Sequence, residues 1–315
     1  MVEKKLDLIK YFNVTKEEIT MSIVFNTDLH AVVIDKISPV AFSVFGLPVR
    51  WYALAYVAGF ILGFWLLKKL TKKDDSEICL TKKQLDDLLT FLVFGVIIGG
   101  RLGYVLFYNL SLLWHNPLEV LAVWHGGMSF HGGLLGVIIA TLLFVRKQSF
   151  PDKSVVRNSL RVLDLLAVVA PIGLGLGRLA NFINMELLGR KIEASANAPW
   201  GVIFKDVGPQ YPRYPSPLYE AALEGLALFL ILWLLYRKTN LRHHPGAISG
   251  ALCIFYGIFR IFCEQFRQPD IQIGTNGFMN LCGLDFTMGQ LLSGVMILVG
   301  IIIFTIALRK HKPQV

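Results

Sequence analysis

The composition of this chain of 315 residues excludes a typical soluble protein. Hydrophobic residues make up 54% of the sequence, and its mean hydropathy is +0.56. Soluble domains average about 45–50% apolar residues even when glycine is counted among them. The net charge of +9 fits the lysines and arginines that multispan membrane proteins collect in cytoplasmic loops, so we expect no nucleic-acid binding. The four cysteines have no paired spacing, which argues against a zinc site or a disulfide framework.

Seven apolar segments are long enough to cross a membrane, since a helical span needs about 20 residues. They cover residues 49–68, 86–107, 129–146, 162–182, 217–236, 247–266 and 288–308. The third is short, and the fourth contains Asp164, Pro171 and Arg178. We therefore predict an all-α, polytopic integral membrane bundle of seven transmembrane helices within residues 38–315, with an extracytoplasmic loop region at about 183–216. Residues 1–37 precede it as an extension of unknown role.

The distribution of basic residues orients the predicted spans. The loops after spans 1, 3, 5 and 7 hold 17 lysines and arginines, whereas the loops after spans 2, 4 and 6 hold 5. Because cytoplasmic loops are the ones enriched in these residues, the asymmetry places the C-terminus in the cytoplasm and the N-terminus outside. Five lysines before the first predicted span and Arg50 at its start count against this orientation.

Glycines recur at four-residue spacing along the predicted spans, a pattern that lets membrane helices approach closely. The sets are Gly59 and Gly63; Gly95, Gly99 and Gly103; Gly132 and Gly136; Gly173 and Gly177; and Gly246 and Gly250. We interpret them as packing positions. The run GLGLG at residues 173–177 lies inside an apolar span, so it does not predict a dinucleotide site.

Polar residues inside an apolar span indicate a functional site, because a charge at bilayer depth costs at least about 2.5–3.5 kcal/mol. Residues 177–190 concentrate such side chains, with Arg178, Asn181, Asn184 and Glu186. Arg178 and Asn181 are three residues apart and share one helix face. They either bind a ligand or cap the backbone at a helix end.

The predicted orientation puts a second helical set in the same outer half of the bilayer. Tyr256, Arg260 and Glu264 follow one another at four-residue spacing on one helix face. Glu264 can hold Arg260 in place, and the pair either serves a site or only orders the bundle as a buried ion pair.

Three further polar residues fall in this outer half. His131 is either an interfacial side chain or a site residue, and its two neighbouring glycines favour the second interpretation because they let a ligand approach the backbone. Tyr52 fits an aromatic belt at the membrane surface. Arg101 either belongs to the site or packs against a neighbouring carboxylate.

Two or three arginines that face one membrane cavity require an anion. Arginine binds phosphate bidentately and stays charged when partly buried. The residues therefore predict a site for a phospholipid head group that opens to the outer half of the bilayer, in either an enzyme or a phospholipid or anion transporter. A transporter is expected to carry broken spans in an internal repeat, and the two halves show no convincing repeat.

Six separated motifs follow one another between about residues 40 and 308. They read RWYALAY from Arg50, GGRLGYVLFYN from Gly99, WHGGMSFHGGLLG from Trp124, GRLANFINMELLGR from Gly177, PRYPSPLYEAALEG from Pro212 and YGIFRIFCEQFRQPD from Tyr256. Together they resemble the bacterial phosphatidylglycerol–prolipoprotein diacylglyceryl transferase family. The pattern GR-x-x-NFIN-x-E-x-x-G is specific, whereas the short glycine motifs are not.

The resemblance implies an enzyme of the bacterial cytoplasmic (inner) membrane whose active site lies toward the outer, periplasmic half. Such an enzyme moves the sn-1,2-diacylglyceryl group of phosphatidylglycerol onto the lipobox cysteine of a prolipoprotein signal peptide. A thioether forms and glycerol phosphate leaves, which is the first step of bacterial lipoprotein maturation. The family needs no metal or organic cofactor, and the nucleophilic sulfur belongs to the substrate.

The resemblance also implies roles for matching residues. Arg178 and Arg260 bind the phosphate and stabilise the leaving group, Glu264 orients Arg260, and Tyr256 lies alongside. His131 is the general base for the thiol, or only a hydrogen-bond partner if the mechanism is arginine-assisted. The remaining assignments are Tyr52 as a contact to the lipid or the thiol, Asn181 and Glu186 as residues that shape the site, Gly189 as a tight backbone turn, and Arg101 as a member of the substrate-binding set.

Overall fold

The computed structural model describes residues 23–26, 31–34, 38–44, 47–71, 78–123, 126–193, 200–205, 211–269, 279–281 and 284–309. Most of the predicted N-terminal extension, namely residues 1–22, 27–30 and 35–37, lies outside these described residues. The chain divides into two compact units. Unit 1 comprises residues 1–63, 168–234 and 250–302, and unit 2 comprises residues 64–167, 235–249 and 303–315.

Helices make up most of the described chain, as predicted. They are α1 (Trp51–Leu70), α2 (Lys82–Tyr108), α3 (Leu112–His115), α4 (Phe130–Lys147), α5 (Val155–Ile183), α6 (Ser216–Lys238), α7 (Ala247–Cys263) and α8 (Met288–Arg309). The middle of α6 is π-helical over Ala221–Ala227. Two short 3-10 helices cover Pro117–Leu121 and Asn240–His243.

Six of the described helices are long and apolar enough to cross a membrane, which confirms a polytopic helical membrane protein. These are α1, α2, α4, α5, α6 and α8. The two predicted spans with the weakest hydropathy, the third and the fourth, are both among them, and α5 begins at Val155 rather than at residue 162. The sixth predicted span corresponds to α7, a helix of 17 residues that is apolar but shorter than the others. Seven spans therefore remain a prediction.

Short strands accompany the helices in unit 1, and the expectation of an all-α fold did not include them. They are β1 (Ile23–Asn26), β2 (Ala31–Ile34), β3 (Val40–Val44), β4 (Leu47–Arg50), β5 (Gly201–Phe204), β6 (Met279–Leu281) and β7 (Leu284–Phe286). In the largest sheet, β2 pairs antiparallel with β1 and parallel with β5. The strands β3 and β4 form one antiparallel pair, and β6 and β7 form another.

The sheet of β1, β2 and β5 buries an apolar cluster against the end of α5. Ile34, Val202 and Phe204 are its buried members, and Phe182 and Met185 pack against them. Because burial of each large apolar side chain contributes about 1.5–3 kcal/mol, this cluster fixes the chain where it leaves α5. Strands that fall in the predicted extension and in the predicted loop region thus support the segment that carries the candidate site.

In unit 2, α2 and α4 pack through the glycines that the sequence analysis assigned to packing. A Cβ on Gly103 would lie 2.6 Å from the Cα of Gly132, and a Cβ on Gly95 would lie 2.6 Å from the carbonyl oxygen of Gly136. Only hydrogen fits at these positions, so the two backbones are in direct contact, as expected for small-residue seams in membranes.

Asp164 of α5 belongs to unit 2 and caps the start of α7. Its carboxylate accepts hydrogen bonds of 2.7 Å from the backbone N–H groups of Gly246 and Ser249 and from the Ser249 hydroxyl. Backbone N–H groups at a helix start lack partners within the helix, and a carboxylate there is also favoured by the helix dipole. The buried charge in the fourth span thus has a structural partner.

Candidate active site

Two arginines and three glutamates form a buried cluster in unit 1. The Oε2 of Glu220 lies 2.9 Å from the Nε of Arg178 and 3.0 Å from the Nη1 of Arg260. Glu224 contacts the same two guanidinium groups at 3.4 and 3.5 Å. The Nη2 of Arg260 donates to Glu264 at 2.7 Å. A single carboxylate therefore bridges two arginines that would otherwise repel each other.

Close contact between α5 and α6 brings these charges together. A Cβ on Gly225 would lie 2.6 Å from the Cα of Gly175, so both positions need glycine. Arg178 follows Gly175 by one turn of α5, and Glu224 directly precedes Gly225. The π-helical form of α6 at this point is rare in proteins and is frequently found at functional sites.

The cluster is shielded from water. The side chains of Glu220 and Glu224 are fully buried, and those of Arg260 and Glu264 nearly so. Buried charges cost several kcal/mol each unless they are paired, which explains why each arginine has at least two carboxylate partners. Arg178 is the most exposed member, and its Nη1 has no hydrogen-bond partner among the described residues. This nitrogen is the donor that the cluster leaves available to an anion.

A second hydrogen-bonded group adjoins Arg178 in unit 1. The Asn181 amide donates to the Tyr52 hydroxyl and, at 3.2 Å, to Glu186. The Tyr52 hydroxyl in turn donates to Glu186 at 3.2 Å. Tyr52 also interacts electrostatically with Arg178. Three predicted residues from two separate motifs are thus in contact.

The turn after α5 holds Glu186 in place. Met185 and Leu187 on either side of it have φ values of 54° and 55°, in the left-handed region that bulky residues rarely adopt. The Ser216 hydroxyl stabilises this turn by donating to the Leu187 carbonyl at 2.9 Å. Such strained backbone persists only where the surroundings hold it, and it is frequent at functional sites.

Gly189 does not form the tight turn that was predicted for it, because the left-handed residues are Met185 and Leu187. It is required instead by close backbone contact. A Cβ at this position would overlap the Tyr214 carbonyl and lie 3.0 Å from the Phe266 carbonyl oxygen. Gly189 thus lets the segment after the turn run directly against the end of α7.

Further hydrogen bonds connect the end of α7 to the site. Glu264 accepts a hydrogen bond of 3.1 Å from the Thr287 hydroxyl. Arg190 donates to the backbone carbonyls of Arg267 at 2.9 Å and of Glu264 at 3.2 Å. Tyr256 interacts electrostatically with the charges of the cluster. The predicted set of Tyr256, Arg260 and Glu264 therefore lies in or beside the arginine–glutamate cluster.

His131 and Arg101 lie in unit 2. His131 is exposed at the start of α4, and its ring packs edge-on against Phe130 at 5.7 Å between centroids. Gly132, which was expected to let a ligand approach, is used for packing against α2.

The hydrogen-bond partners of Arg101 differ from those expected of a residue that binds phosphate. It is buried, and its guanidinium donates to backbone carbonyls of the segment that follows α2. Its distance to the nearest carboxylate, that of Glu119, is 3.9 Å. The donors that a phosphate would need are thus largely occupied.

Glu220 and Glu224 were not predicted as site residues. The signal was present, because two carboxylates four residues apart in an apolar helix occupy one face and are costly at bilayer depth. They lie in the quoted motif PRYPSPLYEAALEG. The sequence contains no sign of the bridging by Glu220, which depends on the contact between α5 and α6.

Comparison with known proteins identifies relatives over most of the chain. The profile of the prolipoprotein diacylglyceryl transferase family matches residues 39–306. The chain is 48% identical over 285 residues to the phosphatidylglycerol–prolipoprotein diacylglyceryl transferase of Rhodospirillum rubrum. The aligned region covers 90% of this chain and 97% of that protein. The chain is 47% identical over 277 residues to the protein of the same name from Pseudoalteromonas atlantica, covering 88% and 91%. The counterpart from Wolbachia pipientis wMel is 44% identical over 273 residues, covering 87% and 96%.

Proposed function

We propose that this chain, which belongs to the prolipoprotein diacylglyceryl transferase family, binds the phosphate of its lipid substrate at the buried arginine–glutamate cluster. The enzyme transfers a diacylglyceryl group from phosphatidylglycerol to a prolipoprotein. The acceptor is the thiol of the lipobox cysteine, and the products are a thioether and glycerol phosphate. The observation that carries the site assignment is the bridging of Arg178 and Arg260 by Glu220 at 2.9 and 3.0 Å.

The chemistry explains why two fixed cations are useful. The thiolate sulfur attacks the glycerol carbon that carries the phosphate, a C–S bond forms, and the C–O bond breaks. The electron pair of that bond leaves with glycerol phosphate, so negative charge grows on the phosphate oxygens. Preoriented cations in a site without water stabilise such charge far better than they would in water. Arg178, through its available Nη1, and Arg260 supply this stabilisation.

The surrounding residues position these groups and the substrates. Glu264 and Tyr256 hold Arg260, while Asn181 and Glu186 shape the head-group site. Tyr52 contacts the lipid or the incoming thiol.

His131 takes the thiol proton or, if the mechanism is arginine-assisted, only forms a hydrogen bond. A thiol with a pKa near 8.5 needs only modest help to form the thiolate.

The enzyme lies in the bacterial inner membrane with seven spans, an outer N-terminus and a cytoplasmic C-terminus. The excess of lysine and arginine after the odd-numbered spans supports this orientation. With this orientation the proposed site lies in the outer half of the bilayer.

The test is a defined reaction with purified full-length protein. The protein is incubated in vesicles that contain phosphatidylglycerol, together with a synthetic lipobox peptide. We expect a gain in peptide mass equal to one diacylglyceryl group and an equal amount of free glycerol phosphate. A peptide with serine in place of the cysteine is the control and should stay unmodified.

The alternative, a phospholipid or anion transporter with an outward-facing phosphate site, makes the opposite prediction. Folded protein that forms no thioether but moves labelled lipid between leaflets would contradict the transferase assignment.

A further inference from the structure

The segment that joins α2 to α4 exposes a row of large apolar side chains. Leu110, Trp114, Leu118 and Leu121 are between 51% and 79% exposed. They follow one another at intervals of four, four and three residues, through the short helix α3 and the 3-10 turn after it. Large apolar patches of this kind on a protein surface indicate contact with a partner or a membrane.

Arg101 fastens this segment to α2. Its Nε donates to the Val120 carbonyl at 3.0 Å, and its Nη1 donates to the Gly127 carbonyl at 3.3 Å. It also donates hydrogen bonds to the carbonyls of Glu119 and Gly126. The buried charge of Arg101 is thus compensated by backbone carbonyls at residues 119–120 and 126–127. These hydrogen bonds fix the path of the backbone through this part of the segment.

The neighbouring helix ends indicate what covers the row. Leu102 and Leu106 near the end of α2, and Phe130 and Leu134 at the start of α4, are all about half exposed. Exposed apolar side chains on helices of a membrane protein face lipid chains. The segment connects these two helix ends, so its row begins and ends next to apolar residues of this kind. Tryptophan is also enriched at the level of the lipid head groups.

We propose that residues 110–123 form an anchor in the plane of the membrane. The row of Leu110, Trp114, Leu118 and Leu121 inserts among the acyl chains just below the head groups, at the membrane face where α2 ends. Arg101 is the positioning residue that holds the anchor against α2. The partner is the lipid surface rather than the peptide substrate, since the row lies between the exposed apolar ends of α2 and α4. Amphipathic segments of this type sink about 5–10 Å into the boundary between head groups and acyl chains.

Fluorescence quenching by brominated lipid tests the depth of the row. Full-length protein and its Trp114→Phe variant are reconstituted in phosphatidylcholine vesicles whose chains carry bromine near the head group, near the chain end, or not at all. The difference between the two proteins isolates the Trp114 signal from that of the other five tryptophans. We expect this signal to be lost with bromine near the head group and to be retained with bromine near the chain end.

Two outcomes would overturn the proposal. In the first, the Trp114 signal survives in both brominated lipids and is quenched by acrylamide in the water, so the row faces solvent. In the second, the signal changes only when a lipobox peptide is added to vesicles without bromine, so the row binds the peptide. Neither outcome affects the transferase assay.

The role of Arg101 is tested with Arg101→Lys, which keeps the charge but cannot reach several carbonyls at once. We expect faster cleavage of residues 110–123 by added protease and weaker quenching of Trp114 by bromine near the head group. Arg157→Lys is the matched control, because Arg157 is exposed and pairs with Asp152. Equal protease protection in both variants would exclude the positioning role. If Arg101→Lys fails to fold, quenching in the unaltered protein still decides the depth of the anchor.

Discussion

Glu220 links Arg178 and Arg260, because its carboxylate contacts both guanidinium groups. Each arginine comes from a different helix, and their like charges would drive them apart without carboxylates between them. Lysine at either position would keep the charge but lose the planar fork that contacts two partners at once. The geometry of the guanidinium groups, rather than charge alone, therefore defines this site.

We accordingly predict that Arg178→Lys and Arg260→Lys each reduce kcat by about 10²–10³, the cost of removing one preoriented donor from a site of developing charge. The measurement is the rate of glycerol phosphate release with phosphatidylglycerol and a lipobox peptide. Arg157→Lys, a surface change, should keep the original rate. Original rates in both site variants would show that bidentate contact with phosphate is not essential.

The charge of Glu220 can be removed without changing its shape. Its Oε1 is buried and has no hydrogen-bond partner among the described residues, so the amide nitrogen of glutamine fits there without displacing a donor. We predict that Glu220→Gln lowers the free energy of unfolding by about 1.5–3 kcal/mol, the usual contribution of a hydrogen bond to a charged group, because Glu224 still pairs with both arginines.

Thermal unfolding of the purified protein in detergent measures this loss. Asp152→Asn is the matched control, since Asp152 pairs with Arg157 and Arg161 at the surface, where ion pairs contribute little. Similar unfolding temperatures for Glu220→Gln and the unaltered protein would show that the bridge does not stabilise the fold.

At the scale of helices, α5 shows how far hydropathy can predict structure. Asp164, Pro171 and Arg178 made this span look weak, yet α5 runs from Val155 to Ile183. The polar residues are tolerated because each charge has partners on other helices, Ser249 for Asp164 and Glu220 for Arg178. Hydropathy counts the cost of a polar residue but does not include partners that are distant in the sequence.

The contact between α5 and α6 yields a prediction for single glycines. Gly225→Ala would place a methyl group 2.6 Å from the Cα of Gly175 and would force the helices apart. Because Glu224 and Arg178 lie beside this contact, we expect a fall in kcat of up to about 100-fold, the effect of a misplacement near 1 Å. Gly173→Ala is the control, as its methyl group would meet nothing within 4 Å. Equal rates in the two variants would contradict the positioning role of the contact.

At the scale of the whole chain, the spans followed from composition, but the sheets did not. The strands Ala31–Ile34 and Gly201–Phe204 pair in parallel although they are far apart in the sequence. A run of four apolar residues is too short to separate strand from helix by periodicity, and no local feature specifies its pairing partner. The helical membrane fold was therefore predictable, whereas the support of the site by this sheet was not.

The number of spans depends on α7. Its 17 residues extend about 25 Å at 1.5 Å per residue, less than the roughly 30 Å of a bilayer core. Helical hydrogen bonds continue beyond it, from the Glu264 N–H to the Arg260 carbonyl at 2.9 Å and from the Arg267 N–H to the Cys263 carbonyl at 3.2 Å. These bonds lengthen the helical path to about 30 Å. We therefore expect α7 to cross the membrane.

Reporter fusions in living bacteria test this expectation together with the predicted orientation. Alkaline phosphatase, which is active only outside the cytoplasm, should be inactive when fused after Arg309, and green fluorescent protein at the same position should fluoresce. If α7 did not cross, α8 would carry the C-terminus outward and both results would be reversed. A fusion after Thr239, which precedes α7, is the control, because it should report the cytoplasm in either case. A cytoplasmic signal at Thr239 with an external signal after Arg309 would thus leave six spans instead of seven.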